Sequence, residues 1–237
     1  MRARPVAGDN AITLLEWIVD TTPAIRSIDI VMCDPAASMP ERVKRKAISF
    51  ALTNSDGTEM WFPPAEAVLI HAAQSGLGIE SLVEESAWHD ESGRAMLRGA
   101  VAREELTSSR LNEIFSQRPG WMATVSSHVQ CESGVRHLPL MDFQCPVDAN
   151  NKAAVIAGLR AAGQFSGAIL ESGNSYHYYG FEPLEDNAWL RFLGKCLLLG
   201  PLTDTRYIGH RLVDRECLLR LTAHWRKPVT PTIVQML

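Results

Sequence analysis

Four segments in the C-terminal half of this chain carry side chains able to bind an anion or a metal ion. Asp142 sits in RHLPLMDFQC (136–145), Ser175 and His177 in SGNSYHYYG (172–180), and Asp204 in LTDTRYIGHRLV. An aspartate inside an apolar strand is costly unless it is paired, hydrogen-bonded or metal-bound, so Asp142 is read as functional. In CLLRLTAHW (217–225), Arg220, Thr222 and His224 alternate with Leu219, Leu221 and Ala223, and Lys227 follows closely. A half-basic strand of this kind can hold an anion. Each residue also has a plainer reading. His177 could be satisfied by backbone, Asp204 could cap a turn, and the basic positions could protect a solvated edge strand.

Other chemistries are poorly served. The five cysteines are an odd number without a C-x-x-C pair, which argues against a disulfide framework and structural zinc and points to a reducing cytoplasm. No pair of histidines stands at helical i, i+4 spacing for zinc, and no cysteine has a positioned base. Cys145, on the apolar side of its strand, is read as packing. With 23 Lys and Arg against 27 Asp and Glu, the net charge is −4, which argues against a general nucleic-acid coat or polybasic membrane contact, so any basic site must be local. No apolar run approaches a membrane span. The first twenty residues read as a short amphipathic helix, not a signal peptide.

The elements that must position these residues follow from periodicity. In the first part, 11–19 reads as a helix and 26–33, 44–52 and 59–62 as strands. Helices follow over 65–76, opened by Pro64, and over 93–117; 121–129 resumes a strand. From residue 136 the order becomes β-α-β-β-α-β. The strand 136–145 leads to a helix over 152–163 capped by Asp148 or Asn150 and ended by Gly163. Strands 167–173 and 175–182 flank a Gly173-Asn174 turn, a helix opens at Asp186 or Asn187, and 205–213 closes as a strand. That order is ferredoxin-like, or RNA-recognition-motif-like: an antiparallel sheet with helices on one face and the other face free. Segments 217–225 and 231–237 are expected to extend the sheet. The fold class is therefore α+β, with an N-terminal α/β portion over 1–130 and a recognition-motif-like module over 131–237, packed as one unit. Parity places Asp142 and Gln144 opposite Met141, Phe143 and Cys145, on the open face. It groups Ser175, His177 and Tyr179 against Tyr176, Tyr178 and Gly180 without saying which set is open.

Taken together, these segments resemble the catalytic module of the archaeo-eukaryotic primase, or primase-polymerase, superfamily. LPLMDFQC looks like its first acidic motif, with Asp142 as first acid. SGNSYHYYG resembles its Ser-x-His motif through Ser175 and His177. Asp204 looks like the third acid, and LLRLTAHWRKPVTP is similar to its arginine-to-lysine segment through Arg220 and Lys227. The resemblance covers about residues 135–235 and implies a metal-dependent nucleotidyltransferase. Asp142 and Asp204 would bind Mg²⁺ or Mn²⁺, His177 and Ser175 would hold a nucleotide phosphate, and Arg220 and Lys227 would neutralise the triphosphate. The implied ligands are a nucleoside triphosphate and a single strand of DNA or RNA. The sequence departs from the family where Gln144 replaces the second acid and where Asn174-Ser175 stands in place of a glycine. A neutral amide ligates Mg²⁺ poorly, while two-metal transfer needs flanking carboxylates. A carboxylate from elsewhere, for example Glu171 or Asp214, could compensate. The alternative is a catalytically inactive nucleic-acid-binding or protein-interaction module on the same fold.

Overall fold

A computed structural model of the chain describes residues 2–34, 96–224 and 227–237. The segments expected at 44–52, 59–62 and 65–76 lie outside the described residues. The fold is α+β, with five α-helices and two antiparallel sheets among those residues. The first sheet contains β1 (Ile25–Cys33), β2 (Met96–Ala102), β3 (Met122–Cys131) and β4 (Gly134–His137). The second contains β5 (Leu140–Asp142), β6 (Gly167–Glu171) and β7 (Tyr176–Gly180). A short β8 (Leu218–Arg220) joins the first sheet and β9 (Thr232–Met236) the second. The strand orders are β2-β1-β3-β4, with β8 also pairing β3, and β5-β7-β6-β9. The helices are α1 (Ala11–Thr21), α2 (Ser108–Ser116), α3 (Ala149–Ala161), α4 (Asp186–Leu197) and α5 (Thr205–Asp214).

Local chemistry explains most boundaries. Asn10 caps α1 by accepting from the Thr13 N–H at 3.0 Å, and Asp148 caps α3 by accepting from the Asn151 N–H at 2.8 Å. Gly163 ends the turn after α3 in the left-handed region, φ 88°, where a side chain would be strained. Gly173 adopts φ 115° in the β6–β7 turn, and the Ser172 N–H donates to the Ser175 carbonyl at 2.9 Å, which is the Gly-Asn hairpin the sequence indicates.

Four expectations are corrected. The helix read over 93–117 is a strand followed by a helix. Met96–Ala102 pairs along β1, with Arg98 opposite Val31, and its guanidinium reaches Asp29 and Glu216; strand pairing overrides a helical apolar spacing interrupted by Gly99. The strand read over 205–213 is α5, because Asp204 caps it, accepting from the Tyr207 N–H at 2.9 Å. The single strand over 136–145 is divided around Pro139 into β4 and β5, which belong to different sheets. The segment 217–225 forms only a three-residue strand, and that strand pairs with β3.

The edges of the second sheet are completed by short pairings. Residues 202–204 run beside β5, with the Gln144 N–H donating to Leu202 O at 2.9 Å and the Asp204 N–H to Asp142 O at 3.4 Å. At the far edge the Gly8 N–H donates to Ile233 O and the Ile233 N–H to Asp9 O, both at 2.8 Å. One hydrophobic cluster joins Leu14 and Leu15 of α1, Ile28 of β1, Tyr178 of β7 and Trp189 of α4, so β7 lies inside the core and fixes the positions of its side chains.

Candidate functional site

The second sheet brings two of the expected residues face to face. Asp142 and His177 are cross-strand partners in β5 and β7, and His177 Nε2 lies 3.5 Å from Asp142 Oδ1. Hydrogen bonds also decide the parity of β7. The Tyr176 hydroxyl donates to Asp148 O at 2.8 Å, and the Tyr178 hydroxyl to Ser166 O at 3.0 Å, with its ring 6.4 Å from that of Phe192. These two tyrosines therefore face α3 and α4. His177 and Tyr179 face the other way, where the Tyr179 hydroxyl donates to Arg220 O at 3.2 Å. The face expected to be free is thus partly covered by the β8 segment, which crosses it while joining the first sheet.

That cover sets the electrostatics. The Asp142 side chain keeps 32% of its surface and His177 only 7%. Asp142 is pushed up to about 7, first by burial and then by the charge of Asp204, against the opposing charges of Lys227 and Arg220. Burial holds His177 down to about 3, and the positive charges of Arg220 and Lys227 act in the same direction. A neutral His177 therefore stands beside a carboxyl that titrates near neutrality, and its buried Nδ1 has no hydrogen-bond partner.

The remaining residues gather around this pair with different degrees of freedom. Asp204 bonds through its backbone to Asp142 O while one carboxylate oxygen caps α5. Lys227 is exposed and forms a reciprocal backbone pair with His224, 2.9 Å in each direction, at the mouth of a short hairpin. Arg220 is buried, and its guanidinium donates to the carbonyls of Ser172, Thr222 and Val229. Ser175 stays at the turn, its hydroxyl 3.3 Å from that of Ser172. The exposed Gln144 amide donates to Gly200 O at 3.4 Å. Neither substitute carboxylate is in place. Asp214 ion-pairs with Arg211 at 3.0 Å at the far end of α5, and Glu171 pairs across the ladder with Tyr176, on the helix-facing side.

This donor set suits one oxygen-seeking cation better than two. Among the described residues, no group of three or more His, Cys, Asp or Glu side chains is placed to hold a metal ion. Asp142 and Asp204 offer two carboxylates, the usual protein share for a Mg²⁺ whose other ligands are waters and phosphate oxygens. A pair of ions would need a bridging acid where Gln144 stands.

Sequence reasoning missed two features. Ser172 opens the β6–β7 turn and its carbonyl accepts from the Arg220 guanidinium; the only signal was its place before Gly173-Asn174. A second polar row runs from Ser127 Oγ to His137 Nδ1 at 3.4 Å and from His137 Nε2 to Asp186 Oδ1 at 3.4 Å. Ser127 is fully buried and its hydroxyl accepts from the Cys217 N–H at 2.9 Å, so this row packs β3 against the approach to β8 and offers no accessible nucleophile.

Comparison with curated proteins and with solved structures gave no match. No helix among the described residues is long and apolar enough to cross a membrane. A family model described as archaeo-eukaryotic primase 1D-like does match, over residues 102–232, a span that includes Asp142, His177, Asp204, Arg220 and Lys227. That span is more than half of the chain, and the protein belongs to the archaeo-eukaryotic primase superfamily.

Proposed function

We propose that the protein binds a nucleoside triphosphate beside Asp142 and His177, on a recognition-motif-like core. The observation that carries this reading is the cross-strand Asp142–His177 pair, with Asp204 bonded to one side and the charge of Lys227 felt by both members. The core reading is supported by the succession β5-α3-β6-β7-α4, with β7 between β5 and β6. Residues 202–204 stand beside β5, where a fourth strand would complete that arrangement.

The roles follow from charge and access. Lys227, which is exposed, meets the phosphates. His177, neutral and fixed in the core, presents its imidazole to a phosphate oxygen or hydroxyl, with Ser175 assisting from the turn. Asp142 and Asp204 hold a single Mg²⁺ or Mn²⁺. A divalent cation so bound supplies positive charge to phosphate oxygens. Transfer of a nucleotidyl group would form a bond from an acceptor hydroxyl oxygen to the α-phosphorus and break the bond to pyrophosphate. With glutamine at 144, binding is better supported than efficient transfer. A second reading, an inactive nucleic-acid or protein-binding module on this fold, is favoured by the same missing carboxylate.

Calorimetric titration with ATP, with and without Mn²⁺, tests the proposal on the wild type and on Asp142→Ala and His177→Ala. Cation-dependent binding that weakens at least about tenfold in both variants is expected, the size of a lost charged hydrogen bond. A wild-type protein that binds no ATP in either condition overturns it.

A further inference from the structure

Arg220 occupies the position at which the family resemblance places a phosphate ligand, yet its surroundings assign it a different task. Its relative exposure is 7%, and none of the ion pairs among the described residues joins it to a carboxylate. One terminal nitrogen donates to Thr222 O at 2.9 Å and to Val229 O, and the other donates to Ser172 O. Those carbonyls have a common meaning in the fold. Thr222 and Val229 flank the hairpin whose His224–Lys227 backbone pair presents Lys227. Ser172 begins the turn that leads through Ser175 into β7 and His177. A single guanidinium fork therefore bolts together the bases of two hairpins that carry the anion-facing groups.

We infer that Arg220 is a positioning residue, which fixes the gap between Lys227 and His177 and so determines which phosphate group fits, without itself contacting the ligand. Burying an unpaired cation is expensive, and three carbonyl acceptors offset that cost only because the planar fork can address all of them at once. A lysine has the charge without the fork. This inference deepens the triphosphate reading and rests on it for its ligand, while the clamp itself can be read without one.

Two measurements separate the cases, both at a temperature where near-ultraviolet circular dichroism shows each variant folded. In the ligand-free protein, amide exchange at His224 and Lys227 is compared between wild type and Arg220→Lys. Faster exchange at both amides is expected, since opening of the hairpin base releases their reciprocal bonds. In the second, ATP with Mn²⁺ is titrated into Arg220→Lys, Lys227→Met and the double variant. Arg220→Lys is expected to lose at least about tenfold in affinity despite keeping its charge. The double variant should be no weaker than Arg220→Lys alone, because Lys227 is already misplaced. Retention of affinity in Arg220→Lys, or additive losses, would show direct phosphate contact and overturn the inference. Unchanged exchange overturns the clamp as well. If the wild type binds no ATP while exchange accelerates in Arg220→Lys, the triphosphate reading fails and the clamp stands.

Discussion

Asp142 and His177 pull the pH dependence of stability in opposite directions. Asp142 is raised in the folded state to about 7, so the folded protein holds a proton there that the unfolded chain has lost, and stability falls as pH rises from about 4 towards 7. His177 is lowered to about 3, so the unfolded chain takes the proton first, and stability rises as pH climbs from about 3 to about 6.5. Between pH 4.5 and 6.5 the two contributions oppose each other in the wild type. Asp142→Asn leaves the His177 contribution unopposed and is expected to shift the slope of the urea midpoint with pH over that interval upwards, and His177→Gln, which leaves that of Asp142, to shift it downwards. Parallel midpoints for both variants and the wild type would contradict the assigned shifts. Both residues were legible as chemistry, since an aspartate in an apolar strand and a histidine after a Gly-Asn turn need reasons. Their pairing was not legible, because it depends on the register of β5 with β7, which no local pattern sets.

Among the elements, α5 shows where periodicity gave the wrong answer and why. TRYIGHRLV alternates well enough to pass for a strand, but the buried Ile208 and the half-buried Tyr207 and Leu212 are also spaced for a helix. The cap decides between them. Asp204 closes the first turn through the Tyr207 N–H, so it serves both the helix and the carboxylate pair with Asp142. The functions separate by substitution. Asp204→Asn keeps a capping oxygen and should retain stability within a few tenths of a kcal/mol, whereas Asp204→Ala should lose about 1 kcal/mol. Both should weaken cation-dependent ATP binding, since each removes the charge. Equal stability of the two variants in urea denaturation would show that capping is not what Asp204 contributes. The β6–β7 hairpin was readable because Gly173 and Asn174 state their turn, although the strands stop at Glu171 and resume at Tyr176, inside the bounds 167–173 and 175–182 that the sequence suggests. The strand β2 was not, because only its pairing with β1 makes it one.

At the scale of the molecule, the candidate site is assembled from parts distant in sequence. β5 supplies Asp142, β7 supplies His177, the cap of α5 supplies Asp204, and the segment after β8 supplies Lys227. The order of those residues along the chain was readable as a family pattern, and the match over residues 102–232 places the chain in that family. The crossing of β8 to the first sheet was not readable, since the alternation over 217–225 marks a strand without saying which strand it pairs with, and the partner is β3. It is this crossing that buries Arg220 and encloses His177. If the assembly is a triphosphate site, the ligand must be felt at a side chain that is neutral, buried and fixed in the core. The most direct measurement is the imidazole resonances of His177 in histidine-labelled protein during titration with ATP and Mg²⁺. Binding of the triphosphate beside His177 predicts a saturable shift of that residue that Lys227→Met weakens and Asp142→Ala makes independent of Mg²⁺. Resonances of His177 that stay in place up to saturating ATP would contradict it.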